Sequence, residues 1–249
     1  MELLVVLALM MTIMAFLAPA LQGLQAHRNA TEAAYEIEDL LRQARSYAMG
    51  NNTHVFVGIL EENAAASPSD PPPRRAGVGR VIVSAYASLD GTKGYENSSS
   101  PQKSWSDSYR KGSNLLPLGQ LRKFENLHLA ATLGPPPSNG GMARPDVNYY
   151  YRLGHSSCCS VTPIVWPKGS DLEKGYQYRF DKVIRFDPLG TPRIQYKTNG
   201  ETIVQEMEIS LQQTHGNQWQ GLPSSPNGGN QCAIQIDGIT GITRIFSPM

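Results

Sequence analysis

Hydrophobic and polar residues are unevenly distributed along the chain, and the first fifty positions differ from the rest. From Leu3 to Leu21 the sequence reads LLVVLALMMTIMAFLAPAL, nineteen residues without a charge. A helix of that length is about 28 Å long, close to the thickness of the hydrocarbon core of a bilayer. A signal peptide would have a basic start and a shorter apolar run, and a buried core helix is rarely so uniform. The pattern predicts a membrane-spanning helix over residues 3–21.

After Leu24 the sequence becomes polar but keeps the periodicity of a helix. Small and apolar residues recur at steps of three and four and give a narrow stripe, at Ala34, Ile37, Leu41, Ala44 and Ala48. The run Gly50-Asn51-Asn52 is a stop signal for a helix. We therefore expect one N-terminal helix over residues 1–50, with a transmembrane first half and an amphipathic second half.

Two residues interrupt the apolar part of this helix. Pro19 lacks the backbone N–H and clashes with the preceding turn, so it should loosen or kink the helix there. Glu2 places a carboxylate beside the apolar run, which is costly unless the group reaches the interface or meets a positive partner. Glu2 either lies in the headgroup region at the end of the span or has a specific charged partner, and physics alone leaves both readings open.

Beyond residue 50, short apolar runs alternate with turn sequences. Strand-like runs lie at 55–59, 81–83, 127–133, 176–180 and 207–211. Asp187–Gly190 and Asp237–Gly241 are typical of tight turns, and the second is a plausible hairpin connection between two apolar runs near the C-terminus. We expect an α+β fold in which an antiparallel sheet, within a β-rich domain of residues 51–249, packs on the amphipathic half of the helix.

Four stretches rich in Ser, Pro, Gly and Asn interrupt the strand-like runs. They lie at 62–79, 90–114, 134–146 and 215–231. Loops of this length are uncommon in compact domains and are either functional or disordered. We expect insertions at the surface, either ordered for partner recognition or disordered.

The three cysteines are too few for a disulfide framework. If the body lies outside the cytoplasm, Cys232 could pair with Cys158 or with Cys159. A bridge between the adjacent Cys158 and Cys159 would be strained, and we expect at least one thiol to stay free.

The N-terminal residues carry a family resemblance. Met1-Glu2-Leu3-Leu4-Val5-Val6-Leu7-Ala8, followed by Pro19-Ala20-Leu21, resembles the start of type IV pilins and type II secretion pseudopilins. That family has a glutamate near the mature N-terminus and a proline seventeen positions later, the separation of Glu2 and Pro19. Residues 34–57 are similar to the GspH/FimT branch, in which an L-x-x-AR-x-x-A helix end runs into a first strand. Ile234–Phe246 resembles the closing hairpin of that branch and is even more similar to large verrucomicrobial cassette pilin-like proteins.

The resemblance implies a function, partners and a location. The chain would be a structural pseudopilin subunit that packs with other pilin subunits, contacts lipid through residues 3–21 and uses the assembly machinery of the bacterial inner membrane. Its body would face the periplasm or the cell surface. The Glu2 carboxylate would pair with the N-terminal amine of a neighbouring subunit and set the filament register. Family members begin with a basic leader that ends in Gly and is removed before N-terminal methylation. This sequence begins at Met1 without one, which we interpret as a start codon placed too far downstream.

No catalytic, cofactor or metal site is predicted. The five histidines include no i,i+4 pair, and His155 and Cys158 have no further ligands to complete a tetrahedral zinc site. GxSxG, Walker A and GxGxxG motifs do not occur. Because the 22 basic and 21 acidic residues nearly balance, the net charge of the chain does not indicate a nucleic-acid partner. FimT-like relatives can bind DNA, but we interpret the basic cluster Arg74, Arg75 and Arg80 as a solvated loop.

We therefore expect a non-enzymatic filament subunit. One alternative is a single-pass periplasmic binding or tether protein that never assembles, which a filament test of Glu2→Ala would separate. A membrane-tethered enzyme is disfavoured because no catalytic set of residues can be named.

Overall fold

The computed structural model describes most of the chain. The described residues are 2–67, 70, 75, 77–92, 115–131, 133, 144–156, 158, 160–166, 177–196, 200–202, 204–218 and 231–247. At 2–9, 13, 15–29, 160–163, 195–196 and 200–202 only the backbone is described.

A single long helix, α1 (Glu2–Gly50), starts the chain. Its last twenty-one residues lie on the body and bury a stripe at helical spacing, made of Ala30, Ala33, Ala34, Ile37, Leu40, Leu41, Ala44 and Ala48. The helix ends where Asn52 takes a φ of 49°, because left-handed backbone cannot continue a helix. The N–H groups of Asn51 and Thr53 then return to the carbonyls of Tyr47 and Ala48, at 3.0 and 3.1 Å.

The body is one antiparallel sheet. Its ten strands are β1 (Val55–Asn63), β2 (Gly79–Ser88), β3 (Leu115–Leu129), β4 (Ser160–Trp166), β5 (Tyr178–Phe186), β6 (Pro192–Tyr196), β7 (Gly200–Thr202), β8 (Glu206–Gln213), β9 (Gln231–Asp237) and β10 (Thr243–Phe246). The order across the sheet is β10-β9-β8-β3-β2-β1-β5-β6-β7, and β4 pairs with β5. A 3₁₀ turn, Tyr149–Tyr151, precedes β4.

The central strands of this sheet are buried on both faces, which explains the consecutive apolar residues at the start of β1 and in β2. On the first face, odd-numbered residues of β1 and even-numbered residues of β9 meet the apolar stripe of α1. On the second face, β4 and the first half of β5 pack over Phe56, Ile82 and Tyr86. A Cβ built on Gly58 would lie 2.8 Å from Cβ and Cγ of Phe180, so that ring rests directly on the glycine backbone.

The two predicted turns are confirmed. Between β5 and β6, the Gly190 N–H donates to the Asp187 carbonyl at 2.8 Å, and the Asp187 side chain accepts from Leu189 N–H at 3.0 Å. Between β9 and β10, the Asp237 side chain accepts from the N–H groups of Ile239 and Thr240. An aspartate carboxylate that accepts hydrogen bonds from backbone N–H groups two or three residues later in the chain stabilises a turn without help from distant residues.

The predicted α+β fold class is wrong. In the part of the chain that the structure describes, the body is a mostly antiparallel β structure. Sequence periodicity detected only the end of β3, which is largely polar before residue 127, and it did not detect β4 or the short strands β6 and β7. Those strands pair with their neighbours through the backbone, which any sequence can do, and so they extend the sheet beyond what the apolar pattern indicates.

The predicted transmembrane first half is not supported either. Within the part of the chain that the structure describes, no helix combines the length and the apolar character needed to cross a membrane.

The four predicted insertions lie between strands, but their bounds differ. β1 and β2 pair out to Asn63 and Gly79, so the first loop is shorter than the predicted 62–79. Parts of 90–114, 134–146 and 215–231 lie outside the described residues. Within 134–146, the described residues 144–146 lie against β8 and β9.

Candidate functional site

The first part of α1, residues 2–29, has no described side chain in the core of the body, and we call it the projecting segment. Among the described side chains of α1, the first that is buried is Ala30. At about 1.5 Å per residue, the segment before Ala30 extends the helix by about 42 Å. Three large apolar side chains described in it are exposed: Met10, Met11 and Met14 at 62, 65 and 71%. Unbranched, polarisable methionine side chains adapt to varied apolar surfaces, so an exposed row of them is suited to packing against another apolar element.

Glu2 and Pro19, the residues predicted to act in assembly and to kink the helix, both lie in this segment. The backbone is helical at both positions. Their side chains lie outside the description, so the pairing of Glu2 and the effect of Pro19 stay predictions.

The second part of α1 is fixed to the sheet by polar contacts as well as by its apolar stripe. The buried Glu38 carboxylate accepts from the Thr243 hydroxyl of β10 at 3.0 Å and pairs with Arg42 Nη2 at 2.8 Å. On the other side, Arg122 of β3 donates to the Glu36 carbonyl at 2.7 Å. These contacts fix the rotation of α1 about its axis, and so they determine the direction in which the projecting segment leaves the body.

The end of α1 and the two tight turns form one pole of the body. A Cβ on Gly190 would lie 2.7 Å from Met49 Sδ, and a Cβ on Gly241 would lie 2.3 Å from the Gly190 carbonyl oxygen, so the three elements touch. Four large aliphatic side chains are exposed there, and we call them the tip patch: Met49 at 40%, Leu189 at 82%, Ile239 at 66% and Ile242 at 52%. The sequence predicted both turns but not that they would meet beside the helix end.

The cysteines differ in state. Cys158 is disulfide-bonded, and Cys159 lies outside the described residues. Cys232 is a buried free thiol 3.8 Å from the Thr31 hydroxyl, so the predicted pairing of Cys232 with Cys158 or Cys159 is not made. Burial raises the pKa of Cys232, with a small opposing effect from Thr31. A buried thiol of raised pKa is poorly nucleophilic.

A buried charge cluster lies on the second face, and sequence reasoning missed it. Glu208 of β8 is fully buried and accepts from Arg144 Nε at 2.9 Å, Ser210 Oγ at 2.7 Å and Gln235 Nε2 at 2.9 Å. Arg152 Nε lies 3.4 Å from the same carboxylate, and its Nη2 pairs with Asp146 at 2.9 Å. The cluster joins residues 144–152 to β8 and β9.

The pKa of Glu208 reflects two opposing effects. Burial alone would raise it, but the hydrogen bonds from Arg144, Gln235 and Ser210 outweigh burial and hold the pKa below its usual range. The alternation of Met207, Ile209 and Leu211 predicts a solvated opposite face for β8, and no local signal shows that residues 144–152 cover it. This cluster therefore stabilises the fold and, being closed to solvent, offers no open site for chemistry.

Lys182 of β5 is a partly buried cation whose pKa is lowered. Its Nζ donates to the carbonyls of His155 and Cys158, at 2.7 and 3.4 Å, and burial lowers its pKa to about 8. These bonds hold the segment that carries the disulfide-bonded Cys158 against the sheet. Lys182 therefore has a structural role, because it attaches residues 155–158 to β5.

The described residues do not form a metal site around His155 and Cys158 or a phosphate-binding site around Arg75 and Arg80. His155 packs edge-on against Tyr149 and Tyr150, and Cys158 is bonded in a disulfide and so cannot serve as a thiolate ligand. Among the described residues no group of three His, Cys, Asp or Glu could hold a metal ion. Of the basic cluster, Arg74 lies outside the description, while Arg75 and Arg80 both pair with the buried Glu62, at 3.8 and 3.0 Å. Their charge is therefore used inside the protein.

Comparisons with known proteins give no further identification: no protein family, curated protein or solved structure matches the chain.

Proposed function

We propose that this chain is a pilin-like, pseudopilin-type subunit that assembles through its N-terminal helix into a filament of the type II secretion or type IV pilus kind. Its role is structural, and its partners are other pilin subunits. Before assembly the subunit is held at the bacterial inner membrane by the uncharged segment of residues 3–21, with the body in the periplasm or at the cell surface.

The observation that carries the proposal is the continuity of α1. One helix runs from Glu2 to Gly50; its last twenty-one residues carry the stripe that is buried on the body, while Met10, Met11 and Met14 near its start are exposed. An exposed apolar helical segment is unfavourable in water at about 25 cal/mol per Å² of apolar surface. Packing between the segments of several copies, or burial in lipid, removes this surface from water. The small residues Ala8, Ala15, Ala18 and Ala20 favour close approach of such helices.

Glu2 has a specific role in this proposal. A carboxylate at the start of an apolar bundle needs a positive partner, and the N-terminal amine of the neighbouring subunit supplies one. A buried pair of this kind fixes the register between subunits more than it adds stability.

Cysteine cross-linking of the full chain in cells that make it tests the proposal. Met14→Cys places a thiol on an exposed position of the projecting segment, and Asn217→Cys places one on an exposed turn of the body. We expect oxidation to give cross-linked multimers in the Met14→Cys membrane and sheared surface fractions, and only monomer for Asn217→Cys. Glu2→Ala added to Met14→Cys should remove the multimers.

Two results would contradict the proposal. Monomeric Met14→Cys in the membrane fraction, together with unchanged behaviour of Glu2→Ala, would favour the tether protein that does not assemble. Recovery of the chain entirely outside the membrane and surface fractions would exclude both the filament subunit and the tether.

A further inference from the structure

The tip patch is a surface that folding leaves uncovered. Met49, Leu189, Ile239 and Ile242 are contributed by three different elements, yet all four are exposed at one pole of the body. Single exposed aliphatic residues are ordinary, but several that come together in one place mark an interaction surface.

The tip patch is also rigid. Ile239 sits in a turn in which the Asp237 carboxylate accepts from two backbone N–H groups and the Thr240 hydroxyl. Leu189 sits in the corresponding Asp187 turn, which packs on Met49. A surface that is already held in shape loses little conformational entropy when a partner binds.

An exposed aromatic residue lies towards the opposite pole, on the same helix. Tyr35 of α1 is 60% exposed, just after the point where the helix enters the body. It lies fourteen residues before Met49, or about 21 Å along the helix axis. Exposed tyrosine is among the residues that most often anchor protein–protein interfaces.

The two poles carry complementary charge on their exposed positions. Around Tyr35 lie three exposed acidic residues, Glu32, Glu36 and Asp39; Glu36 and Asp39 share one cation, Arg122, at 4.0 and 3.8 Å. Next to the tip patch lies Arg45, and the exposed Arg244 interacts electrostatically with Asp237 of the tip turn. Of the other described charges there, Arg42 pairs with Glu38, Arg193 pairs with Asp187, and Glu206 lies opposite Asp237 in the β8–β9 pair.

We propose that the tip patch binds the Tyr35 face of a second copy of this chain, in a head-to-tail contact. Tyr35 of one copy packs among Leu189, Ile239 and Ile242 of the next, while the acidic residues around Tyr35 lie near Arg45 and Arg244. Because the two contacting surfaces differ, the contact propagates along one direction instead of closing into a dimer. The inference rests on the proposed filament, since it places the bodies of successive subunits along the direction of α1.

Paired cysteines in the full chain test this contact. A chain with both Tyr35→Cys and Ile239→Cys should give a ladder of cross-linked multimers, because every copy then has both halves of the contact. Tyr35→Cys alone and Ile239→Cys alone should stay monomeric, and a mixture of the two single variants should give dimers only. Ile239→Ser, an exposed substitution that the fold tolerates, should weaken assembly by roughly tenfold or more.

The outcomes separate this inference from the proposed function. Dimers of Ile239→Cys alone would show a tip-to-tip contact and overturn the head-to-tail arrangement. Cross-linking through Met14→Cys without a ladder from the Tyr35→Cys, Ile239→Cys chain would leave the filament standing and overturn the tip contact. Loss of both would overturn the filament proposal itself. If the double-cysteine chain gives no ladder, and the protein binds lipid vesicles unless it carries Ile239→Ser, the tip patch binds a membrane instead of a second copy.

Discussion

Replacing Glu208 with glutamine removes a negative charge from a place that water does not reach. The carboxylate is fully buried, and Arg144, which donates to it at 2.9 Å, is almost as buried. In Glu208→Gln the side-chain shape is kept, but one carboxylate oxygen becomes an NH₂ group. That group cannot accept a hydrogen bond, and the cations of Arg144 and Arg152 lose the charge that compensates them.

The magnitude follows from the burial of the partners. Removing one member of a buried ion pair costs about 3–5 kcal/mol, because the remaining charge stays desolvated. In a chain of this size 1 kcal/mol corresponds to about 2–4 °C in Tm, so the expected loss is about 6–20 °C. The effect should be close to its full value at neutral pH.

The pH dependence gives the assay a second readout. The pKa of Glu208 in the folded protein lies below its ordinary value of 4.5. A depressed carboxylate pKa contributes stability above the unfolded-state pKa, and that stability is lost as the pH falls through the folded-state pKa. The difference in Tm between wild type and Glu208→Gln should therefore be constant above pH 4.5 and shrink in more acidic buffer.

Thermal melts of the purified full chain in detergent measure both effects. The matched control is Asp181→Asn, which removes one member of an exposed pair in which Arg179 and Asp181 are 2.8 Å apart. Exposed pairs contribute about 0.2–1 kcal/mol, so the control should move Tm by only a few degrees at most. If Glu208→Gln melts no lower than Asp181→Asn, the cluster does not hold residues 144–152 on the sheet as described.

Three further changes test other parts of the fold. Gly58→Ala should cost about 1–3 kcal/mol in urea unfolding, because the new Cβ would lie 2.8 Å from the Phe180 ring; an unchanged midpoint would show that Phe180 does not rest there. Burial lowers the pKa of Lys182 from 10.5 to about 8, so the unfolded chain holds more protons between those values. Wild type should gain stability relative to Lys182→Met between pH 8 and 10.5, and parallel pH profiles would refute this. Cys232 should react with a thiol reagent only after unfolding, and rapid labelling of the native protein would contradict its burial.

The sequence predicted those parts of the fold in which one face of an element is buried or in which nearby side chains determine a turn. The stripe on α1 follows the period of a helix, and the turns at Asp187 and Asp237 depend on side chains two or three residues away. The fold class was mispredicted for a different reason. Polar residues in β3 such as Arg122 and Lys123 do not show alternation, yet their backbone pairs in register with β2. Sheet extension of this kind is decided by neighbouring strands, which one-dimensional patterns do not include.

The candidate surfaces were predictable only in part. The apolar segment at residues 3–21 can be recognised from the sequence alone, because nineteen consecutive residues carry no charge. The tip patch and the Glu208 cluster each depend on residues far apart in sequence. Met49 meets Gly190, and Arg144 meets Glu208 across sixty-four positions. Such contacts exist only once the topology is known, and no local propensity indicates them.

The contact between α1 and the last hairpin has a consequence for how the protein is made. The stripe of α1 lies on β9 and β10, and Thr31 and Glu38 meet Cys232 and Thr243. The ribosome therefore releases the surface that covers this helix about two hundred residues after the helix itself. Until then the stripe is exposed in a chain that is still growing, which is the period when partly folded chains aggregate. The body therefore closes only after β9 and β10 have been synthesised, and a ribosome that stalls before residue 231 leaves a chain that cannot close.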